Sequence, residues 1–149
     1  MGSDYMLKIK DEQLSKIYSY AEQTYPYECC GILIGKKIGE KSEKEKIVHY
    51  IYPVNNCADK SCRAEHFEIC PDAFLYAELI AAKNGLEIVG IYHSHNDCEP
   101  YASEEDEKYA LADTSYVIAS VYDGRIADIR SWCRESYNEK IKNEMLVKI

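Results

Sequence analysis

The chain has 149 residues and a mass of 17.1 kDa, the length of one ordinary domain. Its residues are 46% hydrophobic and 30% charged, enough to bury a core, which excludes global disorder. Eighteen Lys and Arg against 26 Asp and Glu leave a formal net charge of −8, so a basic face for phosphate backbones, and with it a nucleic-acid partner, is not expected.

No run approaches the roughly 18 apolar residues of a membrane span. The N-terminus also lacks the basic stretch followed by an apolar one that marks a secretory signal. A cytoplasmic protein with no membrane partner is expected. Met1–Tyr5 contains a Gly-Ser pair and reads as an expression remnant or an unstructured N-terminus, leaving 6–149 as a single domain.

Leu7–Ile9 reads as a short strand. Asp11 is an expected N-cap, followed by Leu14, Ile17, Tyr18, Ala21 and Tyr25 at helical spacing until Pro26 ends the helix. Gly31–Gly35 is a short apolar run flanked by glycines and predicts a buried strand. Charged Lys36–Lys46 predicts a solvated loop or hairpin tip. Ile47–Val54 is β-branched and aromatic, another strand, and Arg63–Ile69 is a weaker strand candidate. A helix is predicted from Pro71 to about Asn84, with Gly85 as its stop.

Leu86–Tyr92 predicts a central strand running into His93-Ser94-His95. After a loop, Ser103 begins a helix whose first turn is acidic, as the macrodipole favours. Ser115–Tyr122 and Arg125–Cys133 predict strands joined at Asp123-Gly124, and a last strand lies near Met145–Ile149. Strands and helices mix without regular βαβ alternation. The expected class is α+β with a mixed, mostly antiparallel sheet flanked by helices.

The seven cysteines, Cys29, Cys30, Cys57, Cys62, Cys70, Cys98 and Cys133, are odd in number and form no C-x-x-C. They read as reduced thiols, several of them buried as small hydrophobes.

Only four histidines occur, at 49, 66, 93 and 95. His93 and His95 are two apart on a predicted strand, so both imidazoles leave the same face and can meet one metal ion. Asp106, one turn into the following helix, can supply a third ligand. An N,N,O set with a fourth position open to water is a catalytic zinc arrangement. Ser103, three residues before Asp106, either caps the helix or reaches toward the site. His49 and His66 lack a partner at ligand spacing and read as structural or surface residues.

The run H-x-H-x7-S-x-x-D resembles the signature of the JAMM zinc metallopeptidases of the MPN fold. Glu28, within Tyr25-Pro26-Tyr27-Glu28-Cys29-Cys30-Gly31, is similar to that family's preceding glutamate segment. Arg63–Pro71 resembles the stretch before its second helix. The resemblance runs from Leu7 to Arg130 and is to the short single-domain prokaryotic form.

The resemblance implies an MPN (cytidine-deaminase-like) fold with one Zn²⁺ per chain, held by His93, His95 and Asp106. It further implies Glu28 as general acid/base and Ser103 as oxyanion stabiliser. The implied activity is hydrolysis of the amide bond after the C-terminal glycine of a ubiquitin-like β-grasp protein. That means either removal of an isopeptide-linked modifier or C-terminal processing of a sulfur-carrier protein. Two departures stand out: the family pattern has proline where this chain has Asn96 and again where it has Ala102, and both changes are expected to loosen the loop.

Three rival readings use the same residues. His93-x-His95-x-Asp97 resembles the start of the metallo-β-lactamase motif, but Cys98 stands where that motif has histidine and no histidine follows His95. A zinc deaminase needs H-x-E and P-C-x-x-C elements that are missing. A non-catalytic MPN scaffold that only binds partners is the reading from a different class. Cys98 itself reads as an exposed bystander or, alternatively, as a fourth ligand or redox-sensitive thiol.

Overall fold

The computed structural model describes residues 5–39 and 44–149; most of Met1–Tyr5 and the centre of the expected Lys36–Lys46 loop lie outside them, while the ends of that stretch, Lys36–Ile38 and Glu45–Lys46, are not loop but paired strand. Among the described residues, seven strands and three helices follow one another as β1 (Met6–Ile9), α1 (Asp11–Thr24), β2 (Cys30–Ile38), β3 (Glu45–Val54), α2 (Pro71–Lys83), β4 (Glu87–Asn96), α3 (Glu104–Tyr109), β5 (Ser115–Tyr122), β6 (Arg125–Cys133) and β7 (Lys142–Lys148).

The sheet is mixed, as expected, but it also closes on itself in the order β1-β3-β2-β4-β5-β6-β7. Closure comes through short β1, which pairs in parallel with both β3 and β7. The other parallel pair is β4 with β5, and the remaining neighbours are antiparallel.

Local chemistry accounts for most element boundaries. The Lys10 N–H donates to Gln13 Oε1 at 3.1 Å, so Lys10 rather than Asp11 is the N-cap of α1. Pro71 opens α2, and Gly85, at φ 69°, follows its end in the left-handed region that glycine enters without strain. Asp123 and Gly124, both at positive φ, make the two-residue β5–β6 turn. Arg63–Ile69 is not a strand. It is turn and irregular loop, because its polar groups bond to neighbouring loops instead of a ladder.

Alternation along β2 and β4 sends side chains to two layers. Leu33, Val89 and Tyr92 pack with Leu14, Ile17 and Ala21 of α1, while Ile32 and Ile34 pack with Ala77 and Ala81 of α2. Gly31 lies directly under the Tyr92 ring, which leaves no space for a β-carbon there. A third cluster of Ile91, Ala110 and Tyr116 gathers Phe67, Ile69, Phe74 and Trp132 around it.

One buried polar network crosses the barrel. Lys46 Nζ lies 3.0 Å from Glu144 Oε2, and the Ser115 and Ser131 hydroxyls donate to Glu144 Oε1 at 2.6 and 2.8 Å. Each partner is satisfied, which is what a buried ion pair requires.

The cysteine expectation needs correcting: Cys57 and Cys70 are joined as a disulfide with Cα atoms 6.0 Å apart, and the other five are free. Cys29, Cys30 and Cys133 are buried, as small hydrophobes should be.

Candidate metal centre and cleft

β4 lies between antiparallel β2 and parallel β5, and its residues from Val89 to His95 are buried. Its period of two delivers His93 and His95 to one face at its C-terminal end. Their Nε2 atoms are 3.2 Å apart. Asp106 meets both, with Oδ1 3.4 Å from His93 Nε2 and Oδ2 3.3 Å from His95 Nε2. Among the described residues these three form the one group of His, Cys, Asp or Glu side chains close enough to share an ion.

The donor set fits zinc. Tetrahedral ligands about 2.05 Å from a common centre sit about 3.3 Å from one another, close to the 3.2 Å between the two imidazole nitrogens, and each nitrogen has a different Asp106 oxygen beside it. Second contacts orient the rings as a metal site needs. His95 Nδ1 lies 3.0 Å from the Glu99 carbonyl and donates to it, which turns Nε2 toward the group. Phe67 stacks on His93 with centroids 4.3 Å apart.

Asp106 is held by the start of α3. The Ser103 N–H donates to Asp106 Oδ2 at 2.9 Å, and the Asp106 N–H donates to Ser103 Oγ at 3.0 Å, a reciprocal capping box. Ser103 therefore caps the helix with a lone pair and keeps its own proton free to donate. Burial alone would raise the Asp106 pKa, but hydrogen bonds from His93 and His95 hold it well below the carboxylate range. Burial lowers that of His93. Burial also pulls His95 down, but its hydrogen bonds to Asp106 and the Glu99 carbonyl, with the charges of Asp106 and Glu28, together raise it.

Glu28 lies in the same cleft, 7% exposed. Burial pushes its carboxyl up to about 8; His95 and His66 oppose the rise while Asp106 and Glu105 add to it. The middle serine of H-S-H anchors its neighbour: Ser94 Oγ accepts from the Cys29 N–H at 2.8 Å, and the Ser94 N–H donates to the Cys29 carbonyl at 3.1 Å. All five residues singled out from sequence thus face one cleft or its floor.

The cleft has a volume of about 690 Å³, and part of its wall is apolar, formed by Phe67, Ile69, Phe74, Ile91 and Tyr116. His66 was read as structural or surface, yet it stands at the mouth, 3.2 Å from Glu68 and 3.1 Å from Glu105. Spacing alone gave no signal for it, since its partners lie in its own loop and in α3. His49 is exposed, as expected. Cys98 is exposed on the cleft wall and does not join the ligand group. Asp97 is not a ligand either: its carboxylate accepts from the Tyr25 hydroxyl at 2.7 Å and the Asp123 N–H at 2.9 Å, against the lactamase-like reading. Asn96 is not loosely held, since its amide donates to two backbone carbonyls.

Residues 10–135 match the model for prokaryotic homologs of the JAB domain. CysO-cysteine peptidases of Mycobacterium bovis and Mycobacterium tuberculosis are 28% identical over 133 residues, covering 88% of this chain and 84% of theirs. The solution structure of a Desulfitobacterium hafniense protein superposes with a TM-score of 0.77 at 28% identity, covering 97% of this chain and 93% of that one. A Salinibacter ruber protein solved in solution gives 0.70 at 27% identity, covering 95% and 91%. The chain belongs to the prokaryotic JAB-domain family.

Proposed function

We propose that this JAB-family chain is a zinc-dependent metallopeptidase that hydrolyses the amide bond after the C-terminal glycine of a small β-grasp sulfur-carrier protein. The observation that carries the reading is the convergence of His93 Nε2, His95 Nε2 and the Asp106 carboxylate beside a buried acid in an open cleft. The likeness to peptidases named for a cysteine-bearing carrier supports C-terminal processing over removal of an isopeptide-linked modifier.

Zinc, when bound by these three residues, polarises the scissile carbonyl and lowers the pKa of water from 15.7 to about 7. Glu28 takes the proton of the attacking water and hands it to the departing amine. Burial raises its pKa and a bound cation beside it lowers it again, which poises the carboxyl to take a proton and to return it. The Ser103 hydroxyl, whose lone pair is engaged by the Asp106 N–H, donates a hydrogen bond to the developing oxyanion. Ser94 keeps Glu28 in register with the ligands through Cys29.

Metal content and intact mass test the reading together. About one zinc per chain is expected, together with loss of a C-terminal residue or short extension from a carrier protein that ends in Gly-Gly after cleavage. Cleavage of lysine isopeptides alone would move the substrate to the modifier class. A protein that takes up no zinc and cleaves neither substrate would be a binding scaffold.

A further inference from the structure

We propose that Asn96 is a positioning residue, whose side-chain amide clasps both the Glu28 segment and the loop walling the cleft to the end of the metal-bearing strand. The catalytic part of this inference rests on the reading of Glu28 as the base. Asn96 Nδ2 donates to the Pro26 carbonyl at 2.8 Å and to the Ala64 carbonyl at 3.3 Å. Pro26 stands two residues before Glu28. Ala64 follows Arg63, whose carbonyl accepts the Glu28 N–H at 2.8 Å. The amide thus spans the seam that the Glu28 backbone itself closes.

Asn56 spans the same seam further along, donating to the Glu28 carbonyl at 3.1 Å and the His66 carbonyl at 3.0 Å. The orientation of the Asn96 amide follows from its partners, since a flipped group would set Oδ1 against two carbonyl oxygens. Asn96 Oδ1 is buried without a partner. An orphaned acceptor is a cost, so the side chain is held here by what its donor end does. Asp97 fixes the other end of the segment through the Tyr25 hydroxyl.

A residue without a side-chain donor at position 96 would leave the Pro26 and Ala64 carbonyls without this shared tie. Proton transfer depends on the placement of the base, and a displacement of about 1 Å in a reacting group costs on the order of 10²-fold in rate.

The test uses Asn96→Ala and the nearly isosteric Asn96→Leu. Both should keep about one zinc per chain. Their kcat on a carrier protein with a C-terminal extension should fall by roughly 10- to 100-fold, with a smaller change in KM. Hydrogen exchange of the Glu28 amide should accelerate about tenfold, the effect of losing one hydrogen bond, while the amide of Ile118 in β5 exchanges as before.

Variants matching wild type in kcat and in Glu28 exchange would overturn the proposal. So would equal acceleration at Glu28 and Ile118, because Asn96 would then serve only general stability. A wild-type protein without zinc uptake or cleavage would overturn the proposed function and the catalytic part of this inference, while the exchange comparison still decides whether the clasp exists.

Discussion

Replacing Glu28 with glutamine should reveal the cost of burying an ionisable group beside the metal ligands. In the metal-free protein, burial holds Glu28 at about 8 against an ordinary 4.5. Below pH 4.5 the folded and unfolded chains both carry the proton, and the carboxyl costs nothing. Between 4.5 and about 8 the unfolded chain has released it and the folded one keeps it. Stability is therefore lost progressively as pH rises through this window and levels off above it. At roughly 1.4 kcal/mol per pKa unit the full loss is about 5 kcal/mol. Local opening that admits water to the carboxylate limits it, so a loss of about 2–5 kcal/mol is expected. Glu28→Gln is neutral throughout and escapes this loss. Urea unfolding in the presence of chelator, run from pH 4.5 to 9, should show the variant gaining on wild type by that amount and then holding steady. Zinc should remove most of the difference, because a nearby cation favours the charged carboxylate. A gap that does not change with pH would refute the buried-acid reasoning. Under zinc the same variant should retain metal and lose most turnover; unchanged turnover would remove Glu28 from the mechanism.

His95→Ala should abolish zinc uptake, measured by metal analysis of protein purified without chelator, since two ligands do not hold a closed set. Ser103→Ala should keep zinc but lower kcat about 10²–10³-fold, the usual loss for one oxyanion donor, and losing the helix cap should cost about 1 kcal/mol in urea unfolding. Lys46→Met should destabilise the fold by about 3–5 kcal/mol, because it leaves the buried Glu144 carboxylate without its cation; a loss under about 1 kcal/mol would mean that water reaches Glu144.

Local elements were legible in the sequence because local chemistry sets them. Ser115–Tyr122 and Arg125–Cys133 have the predicted bounds, and Pro71 and Gly85 frame α2 as propensity dictates. The closed barrel was not legible. It depends on β1 pairing in parallel with β3 and with β7 at the far end of the chain, and alternation within a strand says which face is buried, not which distant strand lies alongside. The missed Arg63–Ile69 geometry has the same origin. Its residues have strand-like types, but Arg63 and His66 spend their carbonyls on the Glu28 N–H and the Asn56 amide, contacts that exist only once the cleft is assembled.

The site divides in the same way. His93, His95 and Asp106 are readable because two regular periods, the strand's and the helix's, fix where those side chains point. Ser103 is readable because a cap three residues before an acid is a local event. Asn96 is the opposite case. Compared with a motif, it registers as the absence of proline, and absence suggests a looser loop. In the fold its amide reaches Pro26 and Ala64, 70 and 32 residues away along the chain, and tightens what the missing ring was expected to free. A departure from a pattern thus shows which constraint has gone, while the constraint that takes its place depends on neighbours that only the folded chain supplies.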